Sequence, residues 1–187
     1  PLHTHTEIDI LDNETLNVGD RIQFAGNNKD GFNYIDESSI ASGIVREFVL
    51  SFNSNEESND RFDLSGNVMS LLDFDNFPNL DEVPEGCFAC LFGDNSVQIE
   101  SQLSCHIENA KDLILPANTL SSCCYTNMFK CCALLTSTPE LPATELAGGC
   151  CEEMFKGCTF LISASELPAT VLASNCYRKM FSGCTSL

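Results

Sequence analysis

Twelve cysteines and three histidines are the residues of this 187-residue chain whose types could do chemistry. Cys87-x-x-Cys90 with Cys105-His106 has the composition of a zinc site with three thiolates and one imidazole. A CxxC pair without a second CxxC is a weak zinc signal, so a structural role is the stronger interpretation. Cys105 beside His106 could also form a nucleophilic dyad, but no surrounding motif supports one.

Two further segments contain ligand types for metal ions. His3-x-His5 with Glu7 puts two imidazoles on one side of an extended strand, although a loose terminal segment is the stronger interpretation. The acidic loop 56–60 lacks the alternate carboxylates and the glycine of the twelve-residue calcium loop, which favours a solvated loop. Phosphate-binding glycine loops, HExxH and GxSxG are absent. The sequence therefore predicts no enzyme, no metal site and no cofactor.

The charge of the chain is strongly acidic and unevenly distributed. It totals −18, from 27 acidic and 9 basic side chains, which disfavours binding to nucleic-acid phosphates and anionic membrane surfaces. Residues 1–86 have 18 acidic and 4 basic side chains and no cysteine, whereas residues 87–187 have 9 acidic and 5 basic side chains. No apolar run approaches the ~18 residues that a bilayer crossing needs. We expect no nucleic-acid partner and no membrane span.

A 26-residue repeat accounts for most of the cysteines. Residues 141–161 match residues 167–187 at 13 of 21 positions and residues 115–135 at 10 of 21. Cys87 can be laid on Cys124 with a spacing of 37, as a degenerate first copy. Two cysteine columns follow the period, and we expect buried apolar thiols there, with the second column donating S–H to backbone carbonyls. The columns are Cys124, Cys150 and Cys176, and Cys132, Cys158 and Cys184.

Disulfides within a column are disfavoured, because stacked side chains point in parallel and keep their Cβ atoms too far apart. The remaining cysteines lie outside both columns. The sequence leaves open whether any of them is bridged, with Cys123 and Cys151 as one pairing it allows. The cysteines concerned are Cys87, Cys90, Cys105, Cys123, Cys131 and Cys151.

Each repeat is expected to combine a short extended piece, a turn and a short helical return. Leu146, Cys150 and Met154 recur at intervals of four residues, which is one apolar stripe of a helix or of successive tight turns. The Leu141-Pro142 step ends the extended piece, because proline disfavours helix in the residue before it. One unit cannot bury its apolar side alone, but stacked copies can. The pattern predicts a solenoid with a parallel β ladder on one face.

The motif MF-x-GC-x-x-L followed by E-L-P-A-T recurs in these repeats. With this motif the chain resembles the leucine-rich repeats of BspA-like surface proteins, found in gut bacteria and in viruses that infect them. The resemblance extends upstream to segments 15–24 and 61–72 and covers about residues 15–187. Cys131 departs from it, since glycine stands at the equivalent positions 157 and 183. The resemblance implies a leucine-rich-repeat fold and surface exposure, but no ligand.

These observations predict a mixed α/β protein in three parts. Residues 1–70 are expected to form a β-rich, sandwich-like module, and residues 71–114 a cap region with the degenerate first repeat. Residues 115–187 are expected to form the leucine-rich-repeat solenoid. Its repeats are 115–140, 141–166 and the incomplete 167–187. Either further repeats or a second copy in a homo-oligomer is expected to cover that end.

The leading functional hypothesis is a non-enzymatic binding or adhesion module on a cell surface, which recognises a glycan or a protein through exposed strand residues. The candidate binding residues are Thr136, Ser137, Thr138, Glu140, Ser163, Ser165 and Glu166. The alternative is a structural fibre or decoration protein of a virus particle, one that could also bind a host receptor. Pro1 and the lack of a signal peptide favour this alternative, because removal of an initiator Met leaves such a proline.

Overall fold

A computed structural model describes residues 61–93 and 105–187 of the chain. The strands are β1 (Phe62–Asn67), β2 (Glu82–Val83), β3 (Ile107–Ile114), β4 (Thr119–Leu120) and β5 (Glu145–Leu146). Two short 3-10 helices span Val68–Leu71 and Phe77–Asn79. β1 pairs with β3 in a two-stranded parallel sheet, and β2, β4 and β5 form a three-stranded parallel sheet in that order.

The predicted mixed α/β fold with a leucine-rich-repeat solenoid is wrong. The described residues form strands, turns and the two 3-10 helices, but no α-helix, so the expected helical returns are absent. Of the sandwich-like module expected over residues 1–70, only residues 61–70 are described, and they form β1 and most of the first 3-10 helix. The described fold is a strand and turn structure with two small parallel sheets.

Left-handed residues at every fourth position explain why no helix forms. In the middle repeat, Gly149, Glu153 and Gly157 have φ angles of +63°, +53° and +79°. An α-helix needs negative φ at each residue, so these positions close successive turns instead. A repeat of four residues per turn still keeps Cys150 and Met154 on the same buried side. The apolar stripe therefore comes from tight turns, the second of the two structures compatible with its spacing.

Backbone hydrogen bonds join successive repeats in a turn ladder, which comprises residues 86–92, 123–132, 149–158 and 175–184. Tyr125 N donates to Cys150 O of the next repeat at 2.8 Å. The following amide, Thr126 N, donates within its own turn to Cys123 O at 3.2 Å. Alternate N–H groups thus bind the neighbouring repeat while the others close the turns, which pairs the backbone donors of a segment that has no helix or long strand.

The first segment of the turn ladder follows the longer spacing. Phe88 N donates to Cys124 O at 2.9 Å, and Phe92 N donates to Met128 O at 3.0 Å. This is the register in which Cys87 aligns with Cys124. The longer spacing therefore leaves these two segments in the hydrogen-bonding register of the ladder.

A column of phenylalanine rings forms the centre of the core. Rings stack from Phe92 to Phe129, from Phe129 to Phe155 and from Phe155 to Phe181, with centroids 5.1, 5.4 and 5.6 Å apart. Phe129 and Phe155 are fully buried. Because each repeat places the same ring at the same position, the turn ladder and the ring column hold one register.

Candidate functional site

The seven predicted binding residues lie on two adjacent segments, 136–140 and 163–166. Ser137 pairs with Ser163 in a parallel bridge. Thr138 Oγ1 accepts a hydrogen bond from Ser165 N at 2.9 Å. The structure therefore brings together the predicted residues of two neighbouring repeats.

Two of these seven side chains bind the backbone of other segments. Thr136 Oγ1 donates to Glu108 O at 2.8 Å, and the side chain of Thr138 is buried against Ser165. Their hydroxyl groups hold segments together rather than face solvent. The exposed members of the predicted set are Glu140, Ser163 and Glu166, while Ser137 and Ser165 are half-buried.

A row of four polar residues crosses the sheet face that contains Ser163. Asp63 pairs with Asn109, Asn109 with Ser137, and Ser137 with Ser163, all in parallel. Residues paired in this way project to the same face, about 4.8 Å apart from one segment to the next. Ser137 Oγ donates to Asn109 Oδ1 at 2.6 Å, which orients the centre of the row. We call these four residues the polar row.

Several acidic side chains lie on the segments that contribute to the polar row. Arg61 forms an exposed ion pair with Glu108, with 2.7 Å between Nη1 and Oε1. Asp112 and Glu140 are exposed on the same sheet, and Glu140 bridges β3 at Ile114. The face therefore offers hydrogen-bond donors and acceptors in a negative surrounding, which disfavours anionic ligands.

Sequence reasoning missed Asp63 and Asn109, which form half of the polar row. Asn109 belongs to the stretch 95–110, which matches no part of the 26-residue repeat. Its place beside Ser137 follows from a parallel bridge between segments 28 residues apart, which the repeat period does not predict. The pairing of β1 with β3 is also irregular and shifts register twice, so the sequence does not predict that Asp63 pairs with Asn109.

The cysteine columns lie in the interior of the turn ladder. In the second column, Cys158 Sγ donates to Phe129 O at 3.2 Å and Cys184 Sγ to Phe155 O at 3.1 Å. In the first column, Cys124 Sγ lies farther from its acceptor, 4.0 Å from Cys150 O. Burial raises the pKa of the Cys158 thiol well above its usual range. Such thiols stay protonated at neutral pH and are poor nucleophiles.

The adjacent thiols of Cys150 and Cys151 share a hydrogen bond. This bond and burial raise the pKa of Cys151, while the same bond lowers the pKa of Cys150. Tyr125 lies next to them, with a buried hydroxyl that has no hydrogen-bond partner among the described residues. Burial raises the pKa of Tyr125 well above its usual range. Cys151 and Tyr125 therefore stay protonated near neutral pH.

Cys105 and Cys132 form a disulfide, with their Cα atoms 4.9 Å apart. Cys132 thus differs from the expected column thiol, because a cysteine outside the columns lies beside it. The bridge also removes the Cys105 thiol from the conceivable zinc site and from a dyad with His106. Cys123 and Cys151, the pairing that the sequence allowed, are both thiols.

No three histidine, cysteine, aspartate or glutamate side chains are grouped as metal ligands within residues 61–93 and 105–187. The other conceivable ligand sets, His3 with His5 and Glu7, and the acidic loop 56–60, lie outside the described residues.

Charged side chains of the turn ladder form ion pairs within and between repeats. Glu153 forms ion pairs with Lys130 and Lys156, with Nζ to Oε2 distances of 3.0 and 2.9 Å. The buried Glu152 binds Arg178, which stands 26 residues later. Burial raises the pKa of Glu153, but the hydrogen bonds and charges of the two lysines outweigh it, so the pKa lies below its usual value. These charges favour the register of the repeats and leave little free positive charge for a ligand.

Comparison with protein-family models, with curated proteins and with solved structures finds no match to this chain. No helix in the described part of the chain is long and apolar enough to cross a membrane.

Proposed function

We propose that the chain is a non-enzymatic, surface-exposed binding module that recognises a glycan or a protein through the sheet face bearing the polar row. The polar row is the observation that carries this proposal. Its four side chains stand on four parallel segments, and backbone bridges fix their spacing. A ligand would therefore meet groups that are already ordered, which lowers the entropic cost of binding.

The chemistry of the row suits a neutral, hydroxyl- or amide-rich ligand. Ser163 can donate and accept hydrogen bonds, and Asp63 accepts. Ser137 can accept, because its O–H is donated to Asn109 Oδ1, and Asn109 can donate through its amide nitrogen, because its Oδ1 already accepts from Ser137 and Lys111. Asp112 and the neighbouring acidic residues oppose phosphate, sulfate and other anions. Sugar hydroxyls and extended peptide backbones both present donors and acceptors at comparable intervals.

Two further observations support a location on a cell surface. The disulfide between Cys105 and Cys132 is of the kind that persists in oxidising, extracellular surroundings. The repeats also resemble those of BspA-like surface proteins in their recurring MF-x-GC motif. Both observations concern residues outside the polar row and are independent of its chemistry.

Screening the chain on arrays of glycans and of host proteins tests the proposal, followed by a pair of matched variants. Ser163→Arg adds bulk and charge to the exposed end of the polar row, and we expect it to lower the affinity for a captured ligand at least about tenfold. Ser174→Arg makes the same change at an exposed serine just before the last segment of the turn ladder and is expected to leave affinity within about twofold. Equal losses in both variants would show that the polar row is not the binding surface.

A structural fibre or decoration protein of a virus particle is the alternative function. If the chain binds nothing on either array and forms a stable trimer in light scattering, this alternative would be favoured over the binding module. Retained binding by a monomer would favour the adhesion module.

A further inference from the structure

The disulfide links two parts of the described structure. Cys105 lies two residues before β3, and Cys132 ends a segment of the turn ladder. Close to the bridge, Thr136 donates to Glu108 O of β3 through both its amide and its hydroxyl, each at 2.8 Å. The bridge therefore fixes the beginning of β3 against the repeats, next to the strand residues that contribute to the polar row.

Cys132 has a second partner already in place. Its Sγ lies 3.5 Å from Phe92 O. In the next repeat the equivalent thiol, Cys158, donates its S–H to the equivalent carbonyl, Phe129 O, at 3.2 Å. A reduced Cys132 would therefore have a carbonyl acceptor like that of Cys158 in the same column. Its buried S–H would then not lack a hydrogen-bond partner.

We infer that the Cys105–Cys132 disulfide is a reversible redox switch that tightens β3 against the turn ladder when oxidised and loosens it when reduced. The reductant is a small-molecule thiol. Its thiolate attacks the half-buried Cys105 sulfur, because the Cys132 sulfur is fully buried. A mixed disulfide forms on Cys105, and Cys132 leaves as a thiolate, takes a proton and donates to Phe92 O.

A second reductant thiol completes the reduction. Its thiolate attacks the reductant sulfur of the mixed disulfide, so that Cys105 leaves as a thiolate and takes a proton, and the reductant is released as its own disulfide. Two electrons and two protons pass to the protein. The turn ladder keeps its backbone hydrogen bonds and its ring column, because neither includes Cys105. β3 loses the covalent constraint that closed a sequence separation of 27 residues.

Amide hydrogen exchange of the full chain, followed by mass spectrometry of peptides, tests this inference. Under a non-thiol reductant, we expect exchange over residues 107–114 to accelerate at least about tenfold and exchange over residues 123–131 to change less than about threefold. Cys105→Ser and Cys132→Ser are expected to show the fast exchange of β3 without reductant and no further response to it. Cys158→Ser, the matched change in the same column, should respond as the wild type does.

Three results would overturn the inference. Alkylation of all 12 cysteines in the denatured, unreduced protein would show that the bridge does not form. Equal acceleration in β3 and in the turn ladder would make the bridge a general staple rather than a switch. Unchanged exchange in β3 after complete reduction, verified by a mass increase of two hydrogens, would show that the bridge does not control this strand. If a serine variant fails to fold, reduction of the wild type still decides among these results.

Discussion

The turn ladder and the polar row differ in how they stack the side chains of neighbouring segments. In the turn ladder, every repeat contributes the same side chain at the same position, as in the stacked rings of Phe129 and Phe155. In the polar row, Asp63, Asn109 and Ser137 differ in type and come from segments of unequal spacing. Identical apolar groups thus set the register of the repeats in the ladder. The polar groups on the sheet face differ from one segment to the next. We expect stability to depend on the first region and recognition on the second.

Of the changes that test this comparison, loss of one ring from the column should lower the unfolding free energy most. Phe155→Ala removes a fully buried ring with a stacked neighbour on each side, and we expect it to cost about 3–5 kcal/mol of unfolding free energy. Phe160→Ala is the matched control, since this ring is 57% exposed, and it should cost less than about 1 kcal/mol. Urea denaturation measures both. Similar losses would mean that the column does not hold the core.

A smaller effect is expected from a hydrogen bond at the edge of the sheet face. Thr138→Val keeps the side-chain shape but removes the acceptor of Ser165 N, which should cost about 1–2 kcal/mol. Thr144→Val makes the same change at an exposed threonine and should be close to neutral. Thermal unfolding of the two variants would reveal the difference. A neutral Thr138 variant would contradict the role of this residue in joining the two repeats.

The ion pairs of the ladder predict a pH dependence of moderate size. Because the pKa of Glu153 in the folded state lies below its usual value, its ionised form stabilises the fold at neutral pH. That contribution is lost as the pH falls through the folded-state pKa. Glu153→Gln should therefore be less stable than the wild type by about 1 kcal/mol at pH 7, and the difference should vanish in acid. A difference that is constant with pH would assign the effect to packing instead.

Modification of the exposed thiol should perturb the structure least. Cys131 is exposed, whereas the thiols of both columns are buried except for the half-buried Cys184. Limited alkylation of the native protein, read by peptide mass spectrometry, should modify Cys131 first and Cys184 next, at least about tenfold faster than Cys124 or Cys158. We expect the Cys131 adduct to unfold within about 0.5 kcal/mol of the unmodified protein. Early labelling of the buried columns would indicate that the ladder opens readily.

The sequence was most informative where the repeat is regular. The 26-residue period and the longer spacing between Cys87 and Cys124 both reappear as registers of backbone hydrogen bonds. The helix was wrongly predicted because an interval of four residues is close to the 3.6 of a helix, and left-handed φ angles at non-glycine residues such as Glu153 leave no sequence signal.

The sheet face was less predictable for a different reason. Asn109 and Cys105 lie where the repeat is irregular, so no period places them beside Ser137 and Cys132. Thr136 was predicted to face a ligand, but its hydroxyl binds the backbone of β3, a strand outside the repeats. Partners contributed by segments that do not repeat could be found only from the tertiary structure.

Scalar couplings through hydrogen bonds, measured by NMR on labelled protein, test the central claim most directly, namely that repeats bond to one another instead of coiling into helices. The ladder predicts a coupling from the Tyr125 amide nitrogen to the Cys150 carbonyl, and from the Phe129 amide nitrogen to the Met154 carbonyl, each 25 residues later. Couplings from these amides to carbonyls four residues earlier would reveal an α-helix and would contradict the turn ladder.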